Sequence, residues 1–585
     1  MKAFFKFLFT SMLGAMLGLL FFFLILLAVA GSLGGSKGPK PVKNNSILVL
    51  KLDRPIQERE TDNPFAKLGG NNRGTYGLDH LLKAIRKAKT DDKIKGILIH
   101  EGYPMASPAT LQALHRALKD FKTSGKFITA YAEAMTEGGY YLSSTADKIH
   151  LYPTGAMEWN GLGSTPTFFK GTLDKLGIQP VLFRVGGFKS AAEPFTNRQL
   201  STENRLQIQT LLNDIWSSML VDIVAARKGT DTATLHQLAS NLSVISARSA
   251  LRAKLVDALS YQDQVEAELR KKLELGEEDK MPYVNIDDYT ADNEKKGDGK
   301  IALVYAVGGI QSGEGDESTI GSETLVKALR QARQDKEVKA VVLRVNSGGG
   351  SALASDVIAR EVELTRAKKP VIASFGDVSA SGGYYISAYC DQIVAEEMTI
   401  TGSIGVIGLL LNTQRFFDDK LGVTFDRVTT NPYADIGNPN RAMTDKERQS
   451  IQSEVDTIYQ DFLAVVQKGR KFPSREAVHA LAQGRVYSGK RALELKLVDA
   501  LGGLDVAMAA AAKKAGLGTE YTVVEYPKFK NPIEKILEGF NTSMEQKLAA
   551  RLLQRTELNA LRNTFRFLDS KQKVYAYFPY ELDVR

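Results

Sequence analysis

The stretch GLDHLLKAIR at residues 77–86 returns as GSETLVKALR at residues 321–330, with its apolar and charged positions in the same register. Two more blocks repeat in the same order along the chain, EGGYY at 137–141 as SGGYY at 381–385, and KLVDAL at 254–259 as KLVDAL at 496–501. Self-similarity of this kind indicates one supersecondary unit that is used twice. The sequence therefore predicts two copies of one fold.

Each copy alternates strand-like and helix-like segments. An apolar, β-branched run at 46–52 precedes an amphipathic pattern at 78–88 and a second buried run at 94–100, and the order restarts at residue 301. Such alternation favours right-handed crossovers and a largely parallel sheet, so we predict an α/β fold in two tandem domains. The predicted boundaries are a transmembrane anchor at 1–30, a tether at 31–45, an N-terminal repeat at 46–271, a linker at 272–300, a C-terminal repeat at 301–518, and a tail of unknown fold at 519–585.

Composition excludes several classes of function. The 585 residues carry a net charge of +9, with acidic residues interleaved among the basic ones. Because no Lys/Arg run stands out, this charge indicates a solvated basic surface and no nucleic-acid partner. The single cysteine, Cys390, rules out an internal disulfide, and no CxxC or His-x-x-x-His spacing indicates a metal. We expect neither a metal nor a cofactor.

The N-terminus carries an uncharged apolar run from Phe7 to about Ala30. This run matches the ~20 residues of a bilayer-spanning helix and exceeds the ~7–15 residues of a signal-peptide core. Ala28-Val-Ala30 resembles a cleavage site, so a removable signal remains the alternative. Lysines flank the run on both sides and leave its direction open. The length favours a retained single-pass anchor.

The two copies differ at the position where a nucleophile could sit. Ser381 precedes Gly-Gly-Tyr-Tyr in the second copy, and Glu137 precedes the same four residues in the first. A serine between a strand and a helix can simply be an N-cap. The second copy also has VNSGGGS at 345–351, whose glycines could expose backbone N–H groups to an oxyanion, whereas the first copy lacks the triple glycine. The first copy thus lacks both the serine and the triple glycine, which favours catalysis by the second copy.

A serine nucleophile needs a base. The repeated blocks of the second copy contain no histidine, and His479 lies far along the chain in a polar helix, which weakens a Ser-His-Asp interpretation. The pattern GGSKG at 34–38 fits G-x-S-x-G but lacks a strand–turn–helix context. A lysine whose pKa burial lowers can also serve. Lys189, in the small and apolar stretch GGFKSAAEPF at 186–195, is the candidate, against the alternative of an ordinary surface lysine.

The blocks VNSGGGS, SASGGYY, TGSIG and GFKSAAEPF together resemble the long form of the bacterial signal peptide peptidase known as protease IV, over residues 1–520. The resemblance implies tandem crotonase-like (Clp-protease-like) domains and a Ser/Lys dyad built from both halves. It matches Ser381 to the nucleophile and Lys189 to the base, and Ser403 of TGSIG to the serine that holds the lysine amine. The oxyanion donors match Gly382 with Gly349 or Gly350. The family's usual N-S-P-G-G pattern has proline where this chain has Gly348.

The resemblance also implies a biological setting. It predicts an endopeptidase that degrades signal-peptide remnants and other unfolded, apolar peptides. It further implies a homotetramer anchored in the bacterial inner membrane, with the catalytic part on the extracytoplasmic side. Two alternatives remain from the residues alone, a crotonase-type acyl-CoA enzyme, which shares glycine-rich oxyanion turns, and a non-catalytic membrane scaffold.

Overall fold

The computed structural model describes residues 6–7, 9–21, 42–60, 74–100, 102–289, 297, 299–528 and 575–577. In chain order, its strands are β1 Ser46–Leu50, β2 Ile56–Gln57, β3 Tyr76–Gly77, β4 Ile94–Ile99, β5 Phe127–Met135, β6 Lys148–Met157, β7 Gln179–Val185, β8 Ala258–Leu259, β9 Tyr283–Asn285, β10 Lys300–Val307, β11 Gly309–Gln311, β12 Thr319–Gly321, β13 Val338–Ser347, β14 Gly349–Ser351, β15 Val371–Ala380, β16 Gln392–Ala395, β17 Ile400–Gly402, β18 Val406–Asn412, β19 Val486–Ser488, β20 Ala500–Leu501, β21 Thr522–Tyr526 and β22 Tyr575–Tyr577.

The helices carry labels in the same chain order. They are α1 Leu78–Thr90, α2 Pro108–Lys122, α3 Glu137–Ser143, α4 Lys170–Leu176, α5 Glu193–Thr196, α6 Thr202–Ala226, α7 Thr232–Ser240, α8 Ala247–Arg252, α9 Gln262–Lys272, α10 Ser322–Gln334, α11 Ala352–Arg366, α12 Gly382–Ser387, α13 Asp445–Arg470, α14 Arg475–Leu481, α15 Gly489–Glu494 and α16 Leu504–Lys514. The described residues also include a 3₁₀ turn at Ile286–Asp288 and a π-helical turn at Phe416–Leu421.

The two predicted copies each build a parallel sheet. The first sheet has the order β8-β6-β5-β4-β1-β9, and every pairing in it is parallel. The second has the order β19-β17-β15-β13-β10-β21, with β16 also paired to β15 and β20 paired to β16, and is parallel except where β17 meets β19. The predicted α/β tandem is confirmed. The crotonase-like assignment within that class stays a prediction.

Helix periodicity explains why the equivalent helices pack alike. α1 buries Leu78, Leu81, Leu82 and Ile85, at the i, i+3, i+4 and i+7 positions of one helix face. α10 has the same length of 13 residues and buries its own apolar face in the same way. Burial of each such side chain contributes roughly 1.5–3 kcal/mol to folding. The repeated sequence therefore specifies the repeated helix through its apolar spacing.

A third sheet joins the two copies. Its order is β12-β11-β14-β22-β18-β7, so β7, from the predicted N-terminal repeat, pairs antiparallel with β18 of the C-terminal repeat. The copies also share a core, because Ala380, Met398 and Ile400 pack in the same apolar cluster as the first sheet. Residues supplied by opposite copies can therefore meet in one site.

Two segments gain structure that the sequence analysis did not assign. Residues 283–285, inside the predicted linker, form β9 at the edge of the first sheet, where Val284 pairs with Leu48 of β1. In the predicted tail, β21 pairs with β10 and β22 enters the third sheet. These strands have only three to five residues, which carry too little periodicity to reveal a strand in the sequence. The sequence also predicts one helix within this tail, at Ile533–Leu558, and those residues lie outside the described part of the chain.

The N-terminal run is only partly described. Residues 9–21 are helical, and 22–41 lie outside the described residues. Within the part of the chain that the structure describes, no helix reaches the length and hydropathy that a membrane span requires. The anchor predicted at 7–30 stays a prediction.

Candidate active site

Ser381 lies in a strained turn between β15 and α12. Its φ of 56° and ψ of −117° fall in a region that residues other than glycine rarely adopt, at a cost of about 1–3 kcal/mol. Its backbone N–H donates to the carbonyl of Gly402 at 2.8 Å, which holds the turn against the next strand. Ser381 is the N-cap residue of α12, but its side chain makes no capping hydrogen bond to the helix. The buried hydroxyl is left for another partner.

That partner is the amine of Lys189, from the other copy. Lys189 Nζ lies 2.7 Å from Ser381 Oγ, 2.9 Å from the Ser403 carbonyl oxygen and 3.0 Å from Ser403 Oγ. The lysine side chain is only 1% exposed, so the surface-lysine alternative is wrong as well. The structure thus brings together three of the side chains that the sequence analysis singled out.

Close packing fixes the lysine in this position. Phe188 N–H donates to the Gln483 carbonyl at 3.0 Å, which joins the loop after β7 to the second copy. A β-carbon on Gly484 would stand 2.5 Å from Lys189 Cβ, and one on Gly405 would stand 3.2 Å from Lys189 Cδ. A larger residue at either position would therefore collide with the Lys189 side chain.

The environment of the amine disfavours its charge. Burial lowers the pKa of Lys189 well below its usual range. A neutral amine has two N–H donors and one lone pair. Two bonds donated to Ser403, to the carbonyl oxygen and to Oγ, use both N–H groups and leave the lone pair facing Ser381 Oγ. The contacts around Lys189 therefore match the form of lysine that can accept a proton.

The glycine strand β14 runs beside the serine. Gly349 and Gly350 have φ values of 98° and 157°, and a β-carbon on Gly350 would stand 2.1 Å from the Ile310 carbonyl oxygen. A β-carbon on Gly382 would stand 3.1 Å from Gly349 Cα, so the candidate oxyanion glycines touch. Gly349 N–H donates to Ser347 Oγ at 3.1 Å. Ser347, which the sequence analysis did not single out, thereby holds the turn.

A buried polar cluster that sequence reasoning missed supports the lysine loop. Glu193 lies within the quoted GFKSAAEPF stretch, but its role there was not predicted. Its carboxylate accepts hydrogen bonds from Ser201 and, at 2.8 Å, from Asn204 Nδ2. Gln207 Nε2 donates to the Phe188 carbonyl at 3.1 Å, and its Oε1 accepts from Val486 N–H of the second copy at 3.3 Å. The cluster ties the lysine loop to both copies.

A second missed cluster lies behind the glycine turn. Arg344 makes a two-pronged ion pair with Glu58, at 2.8 and 2.9 Å, and both side chains are buried. Asn346 Nδ2 donates to Glu58 Oε1 at 3.1 Å and to Asp377 Oδ2 at 3.3 Å. Burial raises the pKa of the Asp377 carboxyl, and the neighbouring Glu58 charge adds to the effect. Arg344 and Asn346, which precede β14, are therefore held to Glu58 of the first copy. Glu58 belongs to no repeated block, so the sequence comparison did not reveal it.

In the first copy, Glu137 occupies the position that corresponds to Ser381 and has a structural role. Glu137 Oε1 accepts hydrogen bonds from the N–H groups of Asn160, at 2.7 Å, and Gly161, at 3.2 Å. The carboxylate thus serves as the hydrogen-bond acceptor for two backbone N–H groups of a loop. His479 has a different partner, since its Nδ1 lies 2.8 Å from the Tyr459 hydroxyl. The GGSKG pattern at 34–38 lies outside the described residues.

A strained, buried serine within hydrogen-bond reach of an amine, on parallel α/β sheets, is the arrangement of a hydrolase that attacks through serine. Comparison with known proteins agrees. Residues 120–276 and 363–518 each match the model of Peptidase family S49. Protease 4 of Salmonella typhi is 34% identical over 522 residues, which cover 86% of this chain and 84% of that protein.

Two more relatives span similar lengths. Protease 4 of Haemophilus influenzae is 33% identical and covers 83% of this chain and 82% of its own. The chloroplastic serine protease SPPA of Arabidopsis thaliana is 31% identical and covers 86% of this chain and 74% of its own. The chain belongs to Peptidase family S49 and is a serine protease of the protease IV type. This membership decides against the acyl-CoA enzyme and the non-catalytic scaffold.

Proposed function

We propose that the protein is a membrane-anchored endopeptidase with a Ser381/Lys189 dyad, which degrades cleaved signal peptides and other unfolded, apolar peptides. The observation that carries the dyad is the 2.7 Å contact between Lys189 Nζ and Ser381 Oγ inside a buried site. The substrate class follows from the resemblance to the bacterial signal peptide peptidase and from membership of a peptidase family.

The dyad works by moving one proton. Neutral Lys189 accepts the proton of the Ser381 hydroxyl as Oγ attacks the peptide carbonyl carbon. The oxyanion is stabilised by Gly382 N–H and by the N–H of Gly349 or Gly350. If Gly349 is the donor, its N–H must first give up the hydrogen bond to Ser347 Oγ. The ammonium next gives its proton to the departing amine. Water, deprotonated by the same lysine, then attacks the acyl carbonyl carbon. As the ester bond to Ser381 Oγ breaks, the ammonium returns that proton to Oγ and the carboxylate product leaves.

The rate at which a fluorophosphonate probe labels Ser381 should rise with pH. Protonated Lys189 cannot accept a proton, so the rate should be low below the lowered pKa of the amine, rise through it, and stay high in mildly alkaline solution. Peptide mapping of labelled protein across a pH series measures this. His479→Ala is the control and should leave the profile unchanged. A rate that peaks in acid, or a label on another serine, would contradict the proposal.

The resemblance further supports a retained anchor at 7–30, a catalytic part on the extracytoplasmic side of the bacterial inner membrane, and a homotetramer. N-terminal sequencing of detergent-extracted protein should find the apolar run still present, and light scattering should give a mass of four chains. A mature start near Gly31 would instead show a removed signal.

A further inference from the structure

Strand β15 contains a bulge shortly before Ser381. Val345 of β13 pairs with Phe375 of β15. The next pair is Ser347 with Ser379, so β15 advances by four residues while β13 advances by two. Before the bulge β15 pairs with β16, and after it β15 pairs with β17. Since a bulge bends its strand and re-aims the side chains that follow, it directs the end of β15 to β17.

The pairing with β17 brings the serine to the lysine. Ser381 N–H donates to the carbonyl of Gly402, the last residue of β17, at 2.8 Å. The next residue, Ser403, accepts hydrogen bonds from the amine of Lys189 through its carbonyl oxygen and its Oγ. The distance from Ser381 Oγ to Lys189 Nζ therefore depends on the course of β15 through its bulge.

The side chain of Asn346 fills the gap that the bulge leaves between β13 and β15. Its Oδ1 accepts a hydrogen bond from Val378 N–H at 3.1 Å, where a regular ladder would offer a backbone carbonyl. Its Nδ2 donates to the carboxylates of Glu58 and Asp377. A β-carbon on Gly376 would stand 2.9 Å from Asn346 Cβ, so the bulge packs directly on this side chain. Asn346 thus holds the bulge in one shape.

The first copy also holds the bulge. Asp377 accepts hydrogen bonds from Thr110 N–H at 2.9 Å and from Thr110 Oγ1 at 3.0 Å. Thr110 lies in the first turn of α2, where backbone N–H groups have no partner within the helix. Ser107, the N-cap residue of α2, makes no side-chain capping hydrogen bond. The carboxylate of Asp377 therefore takes the capping role, and it ties the strand that carries the serine to the first copy.

The first copy lacks the equivalent arrangement. The residue four places before Ser381 is Asp377, and its equivalent in the first copy is Glu133, which is exposed. In the same register, Gly102 stands at the position of Asn346. The copy without the serine thus also lacks the amide that fills the gap and the carboxylate that binds a helix of the other copy.

We propose that Thr110, Asn346 and Asp377 are positioning residues, which set the place of Ser381 by holding the bulge of β15. The first copy then has two roles, because it supplies the base and also supports the nucleophile. The inference rests on the proposed function, since it takes Ser381 to be the nucleophile. Displacement of a reacting group by about 1 Å can cost roughly 100-fold in rate. Loss of one bond in this cluster should therefore lower kcat and leave KM unchanged.

The test is a pair of substitutions at Thr110. Thr110→Val keeps the shape and the backbone N–H but removes the hydroxyl that donates to Asp377, whereas Thr110→Ser keeps a hydroxyl. We expect Thr110→Val to lower kcat for peptide cleavage and the rate of fluorophosphonate labelling of Ser381 by the same factor, at least about five-fold. KM and the pH of the half-maximal labelling rate should stay unchanged. Thr110→Ser should return both rates to within about two-fold of the wild type.

A matched control separates positioning from general stability. Thr145 is a buried threonine of the same copy, and its Oγ1 donates to the Leu142 carbonyl at 2.8 Å. Thr145→Val should lower the thermal midpoint and leave kcat unchanged. Asp377→Asn puts an amide where Thr110 and Asn346 need an acceptor, and it should show the same fall in kcat. This variant carries the test if Thr110→Val does not fold.

Three outcomes would overturn the inference. They are labelling of Ser381 in Thr110→Val at the wild-type rate, a fall in kcat for Thr145→Val as large as that for Thr110→Val, and a shift in the pH of half-maximal labelling, which would mean that the base had changed. In each case a wild-type protein labelled at Ser381 keeps the proposed function. A wild-type protein that is not labelled at Ser381 refutes the proposed function itself.

Discussion

Replacing Ser381 with alanine is expected to lower kcat/KM for peptide cleavage by at least about a thousand-fold, and Lys189→Met should do the same. Methionine keeps the length and apolar stem of lysine in this buried place but offers no base. Because the two groups act in one proton transfer, the double variant should be hardly worse than either single variant. Steady-state kinetics on an unfolded peptide substrate, with equal amounts of folded protein, measure all three.

Controls separate lost chemistry from lost structure. Lys175→Ala changes an exposed lysine of the same copy and should keep full activity. Ser403→Ala removes one partner of the amine but leaves the carbonyl bond at 2.9 Å, so we expect an intermediate loss. If Lys189→Met kept most of the activity with a normal thermal midpoint, Lys189 would not be the base.

Removal of Glu58 is expected to cause the largest loss of stability. Glu58→Ala leaves the guanidinium of Arg344 buried without its carboxylate, which costs about 3–5 kcal/mol. Replacing both partners, with Glu58→Leu and Arg344→Met, should restore much of that loss, because no uncompensated charge then remains buried. Urea unfolding followed by circular dichroism gives the comparison.

The matched control is an exposed ion pair. Asp419→Ala breaks the bond to Arg415, 3.1 Å long between exposed side chains, and should hardly change the unfolding midpoint. Glu58→Ala should also reduce activity, because Asn346 loses the acceptor that fastens the residues before the glycine strand. An unfolding midpoint for Glu58→Ala equal to that of Asp419→Ala would show that the buried pair does not hold the copies together.

The sequence by itself determined the alternation of helices and strands in both copies and the residues worth testing. Apolar periodicity is local, so α1, predicted at 78–88, could be placed to within two residues at each end, and α10 repeats its length. The internal duplication places Ser381 and Glu137 at equivalent positions, and that difference indicated that the second copy carries the nucleophile. The family resemblance then paired Ser381 with Lys189.

Only the tertiary structure decided how distant parts meet. Lys189 and Ser381 are 192 positions apart and touch because β7 crosses to pair with β18. Glu58 and Arg344 are 286 positions apart, and neither position stands out in a window of its own neighbours. The strand β22 is three residues long, too short to show a period, and exists because two open edges accept its backbone. Local patterns encode which segments form, whereas contacts between segments depend on chain crossings and on backbone pairing that no local pattern records.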